Sequence, residues 1–225
     1  MNAKARFAEA VAGEVQLDVA AFSIAACAHP ALDIDAACEH LDLVASACPE
    51  GSFAALRTYC FETLKLSGNR YDYGDPENSF LDSVLERRHG IPISLAVAMM
   101  ELGRRVGVRV FGVGMPGHFL VRDEMRDDEW CDPFHGGVMR DADDCRALFA
   151  RVHGSADTFS LAMLQPTPPR AIVTRMLMNL ERGRLAADPT QLEWICDLQL
   201  ALPGVPDAEQ RRLTELRRSV RARWN

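Results

Sequence analysis

The stretch that most restricts how this chain can fold runs from Gly90 to Asp132. It opens GIPISLAVAMMELGRRVGVRVFGVGMPGHFLVRD and closes on WCD. Gly90-Ile91-Pro92 reads as a helix start, because the first helical position leaves its N–H unpaired and tolerates proline. Leu95, Ala98, Met99, Leu102 and Val106 recur at helical spacing and give that helix an apolar face, and Gly107 fits a stop. Val108–Val113 then reads as a strand, Pro116-Gly117 as a turn, and His118–Arg122 as a second strand. After the polar turn at Asp123–Asp128, Glu129–Phe134 reads as a third. A helix feeding a small antiparallel sheet is an α+β arrangement. Gly112, Gly114 and Gly117 mimic part of a dinucleotide fingerprint, but no helix follows them in a βαβ unit, so no such cofactor is expected.

The flanks read as helical. Before the loop at Tyr71–Glu77, Val19–Ala26 is a compact apolar segment. Asp33 can cap a helix with Ala37, Leu41, Val44 and Cys48 inward. Pro49-Glu50-Gly51 breaks it, and Ser52 can cap a helix carrying Leu56, Tyr59, Cys60 and Leu64. The Tyr71–Glu77 loop is either a cleft wall or a loop pinned by buried tyrosines, and Asn78 or Ser79 can cap the helix that follows. After the core, acids at Asp141, Asp143 and Asp144 suit the first turn of a short helix. Leu161–Pro169 resembles a proline-rich linker. Three further apolar stripes follow, the last on a helix made basic by Arg211, Arg212, Arg217, Arg218, Arg221 and Arg223. The expected division is 1–67 as a helical cover, 68–160 as the core and 161–225 as a helical tail packed on it.

Charge and cysteine usage narrow the partners. With 25 basic and 32 acidic residues the net charge is -7, which disfavours nucleic acid and anionic membrane surfaces. No apolar run approaches a membrane-spanning length, and the first residues lack an apolar leader. Seven cysteines (Cys27, Cys38, Cys48, Cys60, Cys131, Cys145 and Cys196) form no CxxC pair. Reduced thiols in a cytoplasmic setting are the expectation. His29 and His40 lack companions at ligand spacing, and no metal is expected.

The wording NSFLDSVLERRHGIPISLA, then PGHFLVR and DPFHGG, resembles the transglutaminase-like core of the papain-like cysteine hydrolases. It is similar in particular to the SirB-type bacterial branch, whose core carries a tetratricopeptide-like tail. The resemblance implies a cysteine at the start of the central helix, in a Gly-x-Cys-x-x-x-Ala pattern. Here the pattern reads Gly90-Ile91-Pro92-Ile93-Ser94-Leu95-Ala96, with Pro92 at the nucleophile position. The resemblance also makes His118 the base and Asp132 its orienter.

Proline offers no nucleophile, so acyl chemistry would need a substitute. Ser94 lies two residues on, about 200° round the helix from Pro92. Cys131 neighbours Asp132 on a strand and should point to the opposite face. The leading expectation is a non-catalytic binding or regulatory protein, taking a protein partner or peptide-like ligand, with His118 and Asp132 as relics or ligand contacts. The competing one is a hydrolase or acyltransferase using Ser94 with His118 and Asp132. Neither calls for a cofactor.

Overall fold

The computed structural model describes residues 2–49, 51–183 and 188–222. Glu50 and Arg223 therefore lie outside the described residues. Helices α1 (Ala3–Ala12), α2 (Leu17–Ala28), α3 (Ile34–Ser46) and α4 (Phe53–Thr58) come first, and a π turn at Tyr59–Thr63 extends α4. Asp33 caps α3 by accepting from the Asp35 and Ala36 N–H groups, and Ser52 caps α4 through Ala55. Asn78 does not cap the helix after it. It sits in a 3-10 turn at Pro76–Ser79, while α5 (Leu81–Arg87) begins after Phe80 with no side-chain cap. The Asn78 amide is spent on the preceding loop, donating to the Asp72 carbonyl at 2.7 Å and accepting from Asn69 at 3.0 Å. Two short strands, β1 (Ser67–Gly68) and β2 (His89–Gly90), pair in parallel just before the central helix.

That helix, α6 (Pro92–Arg105), starts on Pro92. Its burial exceeds what its periodicity implies: every residue from Pro92 to Met99 is buried, followed by Glu101, Leu102 and Gly103. A helix with one apolar face leaves its other side wet. Here Ala96, Val97 and Ala98 are small enough for neighbours to close over that side as well. Each fully buried Leu or Met of the kind at Leu95, Met99 and Leu102 contributes about 1.5–3 kcal/mol. Glu101 enters the interior because Arg104 and Arg105 donate to it at 2.8 and 2.9 Å. The same two arginines hold the buried Asp18 of α2.

The sheet has four strands where the sequence pattern shows three. They are β3 (Val110–Val113), β4 (Leu120–Asp123), β5 (Trp130–Asp132) and β6 (Val138–Arg140), an antiparallel meander in that order. Register pairs Val113 with Leu120, Val121 with Cys131, and Trp130 with Arg140. Alternate residues serve two cores. Phe119, Val121 and Cys131 join the main cluster around α6, while Val113, Leu120 and Trp130 join Cys145, Leu148 and Phe149 of α7 (Ala142–His153). Leu161–Leu164, within the expected linker, is a 3-10 turn. Its Leu164 is buried in the second cluster and its carbonyl accepts from the Trp130 indole.

The chain ends in α8 (Pro169–Arg182), α9 (Pro189–Ala201) and α10 (Asp207–Ala222). Ile172, Val173, Met176, Leu177 and Leu180 of α8 lie in the same apolar cluster as α6. Much of the basic face of α10 is neutralised internally: Arg212 pairs with Glu181 and Glu209, Arg217 with Asp197, and Arg221 with Glu193. No described helix is long and apolar enough to cross a membrane.

Candidate functional site

The turn between β3 and β4 delivers His118. Met115-Pro116-Gly117-His118 closes with the His118 N–H on the Met115 carbonyl at 3.0 Å, and Gly117 has φ +75°. A turn with proline second and a left-handed third residue needs glycine in that third position. Arg175 of α8 secures the turn from outside. Its guanidinium donates to the carbonyls of Met115 (3.0 Å) and His118 (2.7 Å) and lies over the Phe119 ring at 5.3 Å. Burial pulls the Arg175 pKa down from its usual value, and Tyr73 partly offsets this.

Asp132 ends β5 and begins a 3-10 turn, Pro133–His135, whose His135 N–H it caps at 3.2 Å. Gly136 and Gly137, both left-handed, then reverse the chain into β6. The carboxylate has no exposed surface and gathers three side chains. His118 Nε2 lies 2.9 Å from Oδ1, while His135 Nδ1 and Arg140 Nε each lie 2.7 Å from Oδ2. Burial pushes the Asp132 pKa up. Hydrogen bonds and charge attraction from His118 and His135 more than reverse that, holding the group well below the usual carboxylate range.

His118, Asp132 and His135 bring ring nitrogens and a carboxylate oxygen within 4.8 Å of one another, a grouping able to offer atoms to a metal. Both Asp132 oxygens are already occupied, however, and a cation would have to compete with the Arg140 guanidinium. The cluster is a hydrogen-bonded ionic network.

With Nε2 turned to Asp132, His118 keeps Nδ1 for the cleft. A cavity of about 590 Å³ opens there, lined by Pro92, Ile93, Pro116, His118 and Phe119 on one side. The face of α8 from Ala171 to Arg182 forms the other, and Tyr73 stands at the edge. Tyr73 is thus a cleft wall, while Tyr71 is completely exposed and pins nothing. Phe134 links the two aromatic elements, edge-on to both Tyr73 (5.7 Å) and His118 (6.2 Å). A Cβ on Gly68 would lie 2.4 Å from the Phe134 ring, so glycine at the end of β1 is what lets that ring settle.

Ser94 is placed elsewhere. It is buried, its hydroxyl donates to the Asn78 carbonyl at 2.6 Å and accepts from the Ile91 N–H at 3.1 Å, and it does not line the cavity. Gly90 makes room for it, since a Cβ there would sit 2.7 Å from the Ser94 oxygen. Ser94→Ala removes this partner from the buried Asn78 carbonyl and Ile91 N–H, which keep their own 3.2 Å hydrogen bond. It is expected to cost about 1–2 kcal/mol in urea denaturation. A loss below a few tenths would deny the hydroxyl this structural role. Cys131 faces the main core, where burial pushes its thiol up to about 12.

Several residues of the site are only weakly announced in a linear reading. His135 sits three residues beyond Asp132, a spacing that an Asx-type turn closes. Arg140 reaches Asp132 diagonally across two paired strands, and no local pattern announces β6. Arg175 and Arg182, seven apart on α8, share the face toward the cavity, a signal present in the sequence but hidden within a tail.

Comparison with known proteins agrees with the architecture. Residues 25–178 match the transglutaminase-like superfamily. A UPF0162 protein of Xylella fastidiosa is 48% identical over 132 residues, covering 56% of this chain and 47% of that relative. A UPF0162 protein of Pseudomonas aeruginosa is 38% identical over 112 residues, 50% of this chain and 41% of the relative. F-box only protein 21 of Mus musculus is 35% identical over 85 residues, 38% of this chain and 12% of that protein. The chain thus spans about half the length of the curated UPF0162 relatives it matches here. No solved structure matches it. The match over residues 25–178, together with the helix-and-meander core, establishes that the chain belongs to the transglutaminase-like superfamily.

Proposed function

We propose that this chain is a binding or regulatory module that uses the transglutaminase-like cleft without covalent catalysis. One observation carries the reading: neither serine nor cysteine is found among the described residues lining the cavity onto which His118 opens, the lining Thr174 has its hydroxyl on the Arg170 carbonyl, and Pro92 lines the cavity where the resemblance would put the nucleophile. The His118–Asp132 pair supplies a fixed hydrogen-bonding group, and Pro92, Ile93, Phe119 and Met178 supply apolar wall. A cavity of this size suits a small ligand or a short peptide segment. A reducing, cytoplasmic setting is part of the proposal, supported by seven cysteines that are all free. The α8–α10 region, similar in its helix–Asp-Pro–helix pattern to a tetratricopeptide-type unit, is proposed as a second contact surface.

Activity-directed labelling tests the reading. A fluorophosphonate and a chloroacetamide probe are expected to give no labelling that depends on the cleft. Serine labelling that disappears in both Ser94→Ala and His118→Ala would establish the hydrolase or acyltransferase reading instead. That reading requires the Ser94 hydroxyl to leave the Asn78 carbonyl.

A further inference from the structure

We infer that the ligand of this cleft is a carboxylate joined to an apolar group through an amide, the chemistry of a peptide C-terminus. The inference rests on the binding reading above and adds the class of ligand.

Charge comes first. The chain carries net charge -7, yet no Asp or Glu is among the described residues lining the cavity, while Arg175 and Arg182 are. A low-dielectric cleft lined by one sign of charge focuses its field and draws the opposite sign. The two arginines are not equivalent. Arg175 is committed to the Met115 and His118 carbonyls and to the Phe119 ring, so it fixes the wall. Arg182 is exposed and has no hydrogen bond or ion pair to any described residue. Its charge acts on neighbouring Glu181, whose hydrogen bonds go to Arg212 and Gln199. Asn179, one turn earlier on the same face, adds a side-chain amide with donor and acceptor.

The kind of anion follows from position. Arg182 is the last residue of α8, where the unpaired carbonyls of a helix C-terminus carry partial negative charge. That end repels a phosphate dianion about twice as strongly as a carboxylate monoanion, while the guanidinium can hold either in two-pronged fashion, so the balance favours the carboxylate. His118 identifies the next group. Its Nε2 lies at hydrogen-bond distance from the Asp132 carboxylate, which accepts only, so Nε2 carries the proton. In the neutral ring Nδ1 is then an acceptor, suited to an amide N–H. Ile93, Phe119, Ala171 and Met178 provide apolar surface for a side chain beside that amide.

The test titrates the intact chain with acetyl-Ala-Leu as the free acid, with its C-terminal amide, and with inorganic phosphate. Binding is read by calorimetry and by the NMR signals of the arginine Nε–H groups and the His118 ring. The free acid is expected to bind about ten-fold more tightly than the amide, the increment of one charge-assisted pair. The Arg182→Ala variant loses that preference, while Arg211→Ala, on α10 and outside the cavity lining, keeps it. Phosphate at equal concentration leaves the acid bound. Equal affinity for acid and amide, an unchanged preference in Arg182→Ala, or displacement by phosphate overturns the assignment. So does no binding by either peptide. The two readings fail separately. Acid and amide binding equally at His118 overturns the carboxylate and leaves the binding cleft standing. Cleavage or transfer of the peptide, detected by mass spectrometry and lost in His118→Ala, overturns the non-catalytic reading.

Discussion

Replacing Asp132 with alanine is expected to remove about 3–5 kcal/mol of stability, because breaking a buried ionic network leaves its remaining members without compensation. The carboxylate has no exposed surface and holds His118, His135 and Arg140 at 2.7–2.9 Å. It also caps the turn that leads into β6. Urea denaturation of the wild type, Asp132→Ala and Asp132→Asn measures the effect. Asparagine keeps the volume and one acceptor oxygen, so its loss should be smaller. An alanine loss under about 1 kcal/mol would mean that the cluster behaves like an exposed pair. The same group sets an acid limb. Its folded pKa is depressed, so its stabilisation is fully present above the unfolded value of about 3.9 and is lost as pH falls toward the folded one. Stability therefore rises with pH through that acid window. The wild type should show this component and Asp132→Asn should lack it. Asp18 and Asp197, also depressed, contribute with the same sign in both proteins, so the difference between the two curves isolates Asp132.

The second large effect is a gain. Pro92→Cys is expected to create a reactive thiol at the start of α6, opening on the same cavity as His118. A thiol that can pass its proton to a neighbouring imidazole at a helix N-terminus has its pKa lowered from about 8.5 into the range of roughly 3.5–7.5. Near pH 6 this raises the thiolate fraction by up to about three-hundred-fold, and the lower nucleophilicity of such a thiolate offsets much of it. Alkylation by iodoacetamide should exceed that of an ordinary exposed cysteine by on the order of ten-fold. The native background is low, since burial raises the pKa values of Cys27 and Cys38 to about 11 and of Cys131 and Cys145 to about 12. Adding His118→Ala should return the introduced thiol to ordinary reactivity. If that thiol titrates normally in both backgrounds, His118 and the helix start are not aligned, and the cleft loses its kinship with a cysteine active site. Proline at the first helical position is favourable, so a modest loss of stability accompanies the gain.

Local signals accounted for a definite part of this protein. Pro92 as a helix start, Asp33 and Ser52 as caps, and Pro116-Gly117 as a turn all follow from one residue's own geometry and its nearest neighbours. The hairpin strands were recognisable for the same reason, although both begin two residues later than expected and the second runs one residue further, to Asp123. The reading of Pro92 as the counterpart of the family's nucleophile rests on motif order, which is also a property of the linear chain.

Tertiary structure decided the rest, because the deciding partners are distant in sequence. Asn78 would serve locally as a cap, but Asn69 and the Asp72 carbonyl compete for its amide, and Ser94 takes its carbonyl. Ser94, two residues beyond Pro92, becomes part of a buried helix start once that carbonyl, sixteen residues away, accepts its hydroxyl. Asp132 owes its low pKa to His118 and His135, and the first of these reaches it only from the far end of a hairpin. Arg140 joins them only after β6 pairs back on β5. The cavity exists because α8 crosses the β3–β4 turn and presents Arg175 and Arg182 to it, from more than fifty residues beyond His118. Periodicity reports which face of a helix is apolar. Which groups that face meets is set by long-range packing and by the need to pair every buried polar atom.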